Sequence, residues 1–201
     1  METGEATEES LCRENYCQYD GEVCPYNWKA TQRLHGMVNL SVDAINELAS
    51  YEVVKSNVTG MFEFVTDAGI NFTVGFELVE GLLNVELYQF FIVNMDNRKS
   101  PRDMKLRETV MAIIQVFFET SNHAMLYICE TGDNKQAMRN HLFNYWSNLS
   151  PVRKKLYTTT ASLPDEDGIM NYATLCLRVD HPDFMAVVNE FSELVHLLGQ
   201  K

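Results

Sequence analysis

Apolar and polar residues alternate along this chain with two different periods, and these periods predict its strands and helices. In NFTVGFELVE (71–80) and MFEFVT (61–66) every second residue is apolar, as in strands with one buried face. The short segment between these two runs contains Gly69, so together they predict a β-hairpin. VELYQFFIVNM (85–95) is apolar on both faces and predicts a central strand.

Apolar residues spaced three and four apart predict four helices. One follows a Ser-Pro pair and covers 102–120, and its wide apolar stripe indicates a largely buried helix. The segment 181–198 has an unbroken apolar stripe and predicts an amphipathic helix that lies on a sheet. A shorter helix is predicted within 39–54, and another begins at a cap formed by Thr131 or Asp133.

Three further strands are predicted over 124–129, 154–162 and 171–179. The order is then helix, three strands, helix, strand, helix, two strands, helix. This order predicts an α+β fold, a two-layer sandwich in which helices cover a mixed or antiparallel sheet of about five to six strands. Residues 1–37, which are acidic and contain Cys and Tyr without periodicity, are interpreted as an N-terminal arm, and 38–201 as a single α+β domain.

The net charge narrows the choice of partners. It is −12, from 28 acidic residues against 16 Lys and Arg. Phosphate backbones and anionic membrane surfaces repel such a chain, so we expect neither nucleic acid nor a membrane as partner. A basic protein is the better electrostatic match, although the charge also promotes solubility. Five cysteines, no secretory signal and no apolar run long enough to cross a bilayer favour a cytoplasmic protein.

The stretch YICETGDNKQAMRNHLFNYW (127–146) is the strongest candidate for a site. A strand ends there at an acidic turn, and a helix with basic residues follows. Glu130 and Asp133 could act as an acid–base pair, and Thr131 and Arg139 complete a candidate ligand-binding set. The one glycine of the turn is flanked by acids, which argues against phosphate. Helix capping and solvated charge pairs explain the same residues without a site, and this is the interpretation that we favour.

Other catalytic patterns are missing from the sequence. It contains no glycine-rich nucleotide-binding motif, no G-x-S-x-G and no paired histidines, so we predict no catalytic residue and no cofactor. The spacing of Cys12, Cys17 and Cys24 is irregular, so no metal is predicted, although a site formed by these three thiols stays open. Cys129 and Cys176 lie in apolar strands and are interpreted as small core residues.

The stretch 127–146 also resembles a family of uncharacterised proteins from Bacteroidetes bacteria. The resemblance extends over about residues 55–200 and includes the hairpin MFEFVTDAGINFTVGF and the helix end IIQVFFETSN. The matching residues at its centre are Leu126, Tyr127, Ile128, Cys129, Glu130, Thr131, Asp133, Gln136, Ala137, Arg139, Asn140, Leu142, Phe143 and Trp146. The resemblance implies a shared fold and a bacterial cytoplasmic setting, and it brings no activity with it.

Two main hypotheses for function follow. The first is a non-enzymatic protein-binding or interaction domain with a basic partner, for which an immunity or antitoxin role is one concrete form. The second is a small-ligand-binding protein or an enzyme with its site around 130–139. A third is a homodimer formed through the apolar faces of 85–95 and 106–118.

Overall fold

In the computed structural model, the described residues are 38–129, 135–164 and 168–199, and they form one seven-stranded sheet and four α-helices. In chain order the elements are α1 (Val42–Asn46), β1 (Val54–Lys55), β2 (Phe62–Val65), β3 (Asn71–Val79), β4 (Leu87–Asn94), α2 (Met104–Thr120), β5 (Ala124–Cys129), α3 (Gln136–Leu149), a 3-10 helix (Arg153–Lys155), β6 (Leu156–Pro164), β7 (Met170–Arg178) and α4 (Phe184–Leu198). The predicted arm 1–37 lies outside the described residues, so its boundary with the domain 38–201 stays a prediction.

The sheet is open, and its strand order is β1-β2-β3-β4-β5-β7-β6. Strands β1 to β4 form an antiparallel meander, and β7 pairs antiparallel with both β5 and β6. Strands β4 and β5 are parallel, and α2 supplies the crossover that a parallel connection needs. The predicted α+β class and mixed sheet are confirmed. The seventh strand, which the sequence did not predict, is β1. Its two residues are too few to show an alternating pattern.

The first face of the sheet is covered by α2 and α3. Helix α2 begins after Asp103, whose side chain accepts a hydrogen bond from the backbone N–H of Leu106 at 3.1 Å. Its Phe117 is fully buried and stacks on Phe76 of β3, with ring centroids 4.5 Å apart. From α3, Phe143 stacks on Tyr127 of β5 at 4.2 Å. The predicted burial of α2 is therefore confirmed, and α2 forms the centre of the main core.

The second face of the sheet is covered by α4, but only over one half. Val187 and Phe191 of α4 are buried in a second apolar cluster with residues of β4, β5 and β7. Strand β5 contributes to both clusters, because Leu126 faces α4 and Tyr127 faces the main core. The predicted amphipathic helix on a sheet is confirmed. The two-layer arrangement holds over β1 to β3, and α4 adds a third layer over the remaining strands.

The turn between β2 and β3 shows how local sequence sets the register. Gly69 has φ +65°, in the left-handed region that glycine occupies without strain. Its N–H donates to Thr66 O at 2.8 Å, and the N–H of Thr66 donates to Ile70 O at 3.0 Å. The predicted hairpin is confirmed, and its register places Phe64 opposite Phe72 on the core face.

Candidate functional site

The predicted strand and helix of the stretch 127–146 are present as β5 and α3. Glu130, Thr131 and Asp133 lie outside the described residues, so whether their side chains converge with Arg139 stays a prediction. The helix begins later than the sequence predicts. Its N-cap residue is Lys135, which makes no side-chain capping hydrogen bond, so the predicted cap by Thr131 or Asp133 is corrected.

The charge of Arg139 lies close enough to Tyr127 and Cys129, two buried residues at the end of β5, to affect their pKa values. Burial raises the pKa of the Cys129 thiol, while the hydroxyl of Tyr127 and the positive charge of Arg139 act in the opposite direction. Burial likewise raises the pKa of Tyr127 strongly, and Arg139 opposes that shift. Because nucleophilic cysteines need a lowered pKa and access, Cys129, which is 2% exposed, serves the core as predicted.

One buried polar group beside this cluster was missed by the sequence analysis. Gln136, the first residue of α3, is 8% exposed, and its Oε1 has no hydrogen-bond partner among the described residues. An unpaired buried amide oxygen costs free energy, and most such groups in native proteins are paired. The sequence offered no signal for it, because a glutamine in the first turn of a helix is ordinarily solvated.

The interior between α2, the C-terminal half of α3 and the sheet does not offer room for an organic ligand. A gap between α2, α3 and the sheet, lined by residues that include Met111, Phe143 and Cys176, has a volume of about 10 Å³. Such a gap is about the size of one water molecule. Among the described residues, no group of three or more His, Cys, Asp or Glu could hold a metal ion.

A second candidate lies on the half of the sheet that no helix of the described residues covers, which we call the uncovered face. It is the side of β1 to β4 that points away from α2. The strand register aligns its side chains in rows across the sheet, because Val54 pairs with Glu63, Glu63 with Thr73, and Thr73 with Val93. The residues that define the uncovered face are Glu52, Val54, Glu63, Val65, Asn71, Thr73, Phe91, Val93 and Met95.

The uncovered face combines exposed apolar side chains with carboxylates. Val54 and Val65 are 51% and 54% exposed, and Met95 is 40% exposed. They border an open depression of about 620 Å³, to which Glu52 and Glu63 contribute acidic groups. Exposed apolar side chains that lie together and are bordered by polar groups are a feature of surfaces that contact a partner.

One glycine shapes the uncovered face. Gly75 of β3 lies opposite Phe91 of β4, and a Cβ atom at Gly75 would be 2.2 Å from Cζ of the Phe91 ring. The ring therefore lies across the glycine backbone, and any side chain at position 75 would displace the ring. The prediction of a central strand over 85–95 is confirmed. On the second face of the sheet, α4 covers Leu87 of this strand but does not reach Phe91 or Val93.

Residues 102–193 match the model of a family of unknown function, DUF6169. The resemblance to an uncharacterised family is thereby confirmed over just under half of the chain, while the Bacteroidetes origin stays a prediction. No curated protein and no solved structure matches the chain.

The DUF6169 match divides the fold at a structural boundary. It begins just before α2 and ends within α4, so it includes β5, β6, β7 and the Tyr127–Cys129–Arg139 cluster. Strands β1 to β4, which form the uncovered face, precede the matched segment. Among the described residues, no helix is long and apolar enough to cross a membrane.

Proposed function

We propose that this protein is a non-enzymatic binding domain, and that its uncovered face binds a basic segment of a partner protein. The observation that carries the proposal is the exposure of Val54, Val65 and Met95 beside the carboxylates of Glu52 and Glu63 on one open surface. An immunity or antitoxin role against a basic protein is one concrete form of this function.

Charge complementarity supports a basic partner. The nine residues that define the uncovered face include two acids and no Lys or Arg. The whole chain carries a net charge of −12, which steers cationic partners toward it and repels acidic ones. The partner segment that fits best therefore carries Lys or Arg next to aliphatic or aromatic residues, so that its charges contact Glu52 and Glu63 while its apolar groups cover the valines.

The test is affinity capture with immobilised full-length protein. Lysate of the native host is applied at low and at high salt, and captured proteins are identified by mass spectrometry. Glu63→Lys is compared with Glu193→Lys, which makes the same charge change on exposed surface of α4. We expect a basic protein whose capture is lost with Glu63→Lys and kept with Glu193→Lys. Equal capture by both variants would overturn the proposal, and so would equal loss.

A second candidate function is small-ligand binding near Arg139, which is favoured by Oε1 of Gln136, a buried oxygen with no hydrogen-bond partner among the described residues. A ligand that donates a hydrogen bond to this oxygen while presenting an anionic group to Arg139 would suit the cluster. The test is a thermal-shift screen of small organic acids against the wild type and Gln136→Leu. A stabilising compound that loses its effect in Gln136→Leu supports this function, and no stabilising compound argues against it.

A further inference from the structure

We infer that the solvent face of α3 binds an acidic amphipathic helix of a partner protein. Four apolar residues on that face define what we call the α3 stripe: Met138, Leu142, Tyr145 and Leu149. Helix α3 covers the first face of the sheet, so the α3 stripe lies on the opposite side of the sheet from the uncovered face. The inference is independent of the proposed function, because it concerns another surface and a partner of opposite charge.

The first observation is that the side chains of the α3 stripe are exposed although they are spaced as in a buried seam. Each of them is between 44% and 61% exposed. They follow one another at intervals of four, three and four residues, which is the spacing of the a and d positions in a heptad repeat. The core contact of α3 is made by Phe143, which is buried. Helix α3 therefore carries a second apolar surface besides the one that packs on the core.

The second observation is the shape of the α3 stripe, which predicts the kind of segment that binds there. Leu149 follows Met138 by eleven residues, so the stripe is about 16 Å long at the helical rise of about 1.5 Å per residue. It is a single row of side chains along a helix. Apolar residues at alternating intervals of three and four are complementary to the same intervals on a second helix, whose side chains fill the gaps between them. About three turns of a partner helix would cover the stripe.

The third observation is the charge around the α3 stripe, and it selects the partner. Residues 135–164 contain five Lys and Arg and no Asp or Glu, in a chain whose net charge is −12. Lys135 and Arg139 each precede a residue of the stripe by three positions, which makes them its neighbours on the helix surface. Near the other end, Nε of Arg153 donates to Asn148 Oδ1 at 3.0 Å. An apolar seam with cations near both ends fits a helix that carries Asp or Glu beside its apolar residues.

Other occupants fit the α3 stripe less well. A second copy that used its own α3 stripe would bring the same cations together, and like charges across an interface oppose association. The apolar residues of 106–118, which the sequence offered as a dimer surface, are unavailable, because Val110 and Phe117 are buried in the core. Nucleic acid would match the cations, but its affinity comes largely from phosphate contacts and would leave the apolar residues unused. An acidic amphipathic helix uses both the cations and the apolar residues.

The test uses two synthetic peptides of three heptads with Leu at every a and d position. One peptide has Glu at every e and g position, and the other has Lys there. Binding of each labelled peptide to the full-length protein is measured by fluorescence anisotropy. We expect the Glu peptide to bind even though the net charge of −12 repels it, so a general effect of charge cannot produce this result.

Substitutions in the protein locate the binding site. Leu142→Gln should raise the dissociation constant of the Glu peptide by about tenfold, because it places a polar amide in the middle of the seam. Leu198→Gln on α4 is the matched control, since both leucines are 44% exposed, and it should leave the binding unchanged. Met138→Gln repeats the test at a more exposed position, where a substitution has little effect on folding. Any binding of the Lys peptide should not respond to Leu142→Gln, so this test and that of the proposed function can fail separately.

Several results would overturn the inference. They include no binding of the Glu peptide, and equal effects of Leu142→Gln and Leu198→Gln on that binding. A wild type that dimerises in sedimentation equilibrium and becomes monomeric in Leu142→Gln would assign the α3 stripe to a second copy instead. A DNA duplex whose binding weakens in the same variant would assign the stripe to nucleic acid.

Discussion

The side chain of Phe117 is fully buried in the main core. It stacks on Phe76. It also meets Phe118 edge-on, with ring centroids 5.0 Å apart, and meets Tyr88 edge-on. Aromatic pairs of this kind add to the free energy of burial. The packing joins α2 to β3 and β4, so the side chain connects the crossover helix to the antiparallel meander.

We predict that Phe117→Ala lowers the free energy of unfolding by about 3–5 kcal/mol, because a fully buried aromatic side chain is replaced by a cavity. Urea denaturation followed by circular dichroism measures the change. Met104→Ala, at a position 63% exposed on the same helix, is the control and should change stability by less than about 0.5 kcal/mol. A loss below about 1 kcal/mol for Phe117→Ala would contradict the packing described here.

The buried thiol of Cys176 makes the stability of the fold depend on pH. Burial raises the pKa of its thiol from 9.0 to about 12 in the folded chain. As pH rises, the unfolded chain therefore loses this proton first. The contribution of this thiol to the free energy of unfolding is complete below pH 9. It is lost as pH rises from 9 to about 12, by up to about 1.4 kcal/mol per pH unit, because in this range the unfolded chain has released the proton and the folded chain has not. In urea denaturation across this range, Cys176→Ala should lose less stability than wild type. Parallel pH profiles would contradict the prediction.

At the scale of elements, Asp103 connects α2 to the preceding loop. One carboxylate oxygen accepts from the N–H of Leu106, and the other accepts from the Tyr51 hydroxyl at 2.7 Å. The hydroxyl of Tyr51 in turn accepts from the N–H of Asp67 at 3.1 Å. The start of the helix is thus fixed to the β2–β3 turn by a chain of hydrogen bonds.

We predict that Asp103→Ala lowers the free energy of unfolding by about 1–2 kcal/mol, because the N-cap bond and the partner of Tyr51 are both lost. Asp103→Asn should cost clearly less, since asparagine is an equally good N-cap. Thermal and urea denaturation compare the three proteins. If the asparagine variant is as unstable as the alanine variant, the N-cap hydrogen bond is not the source of the loss.

Most elements were predictable from the sequence because their signals are local. The alternation around Phe72 and the stripe that ends in Leu198 each lie within one element. Contacts between elements were not predictable in this way. Nothing in the sequence near β7 indicates that it lies between β5 and β6, and Val54 carries no periodic signal. The uncovered face was missed for the same reason, because Val54, Glu63 and Val93 become neighbours only through strand pairing.

At the scale of the whole molecule, the sheet consists of two antiparallel parts joined at the parallel pair β4 and β5. Within the described residues, helices cover the first part, β1 to β4, on one face, with α4 reaching only Leu87 of β4 on the other, and they cover the second part, β5 to β7, on both faces. The uncovered face belongs to the first part. Substitutions on the uncovered face therefore leave the packing of the second part unchanged.

The loop between β4 and α2 lies at this junction, and its Lys99 and Ser100 are followed by Pro101 outside any helix or strand. Cutting the chain after Lys99 leaves every antiparallel strand pair intact within one of the two polypeptides. We predict that polypeptides 1–99 and 100–201, produced together, assemble by complementation through α2 and the β4–β5 pair. Co-purification through a tag on one polypeptide measures this assembly, and Phe117→Ala should abolish it. The protein would then serve as a split reporter whose two halves recognise each other through its own core.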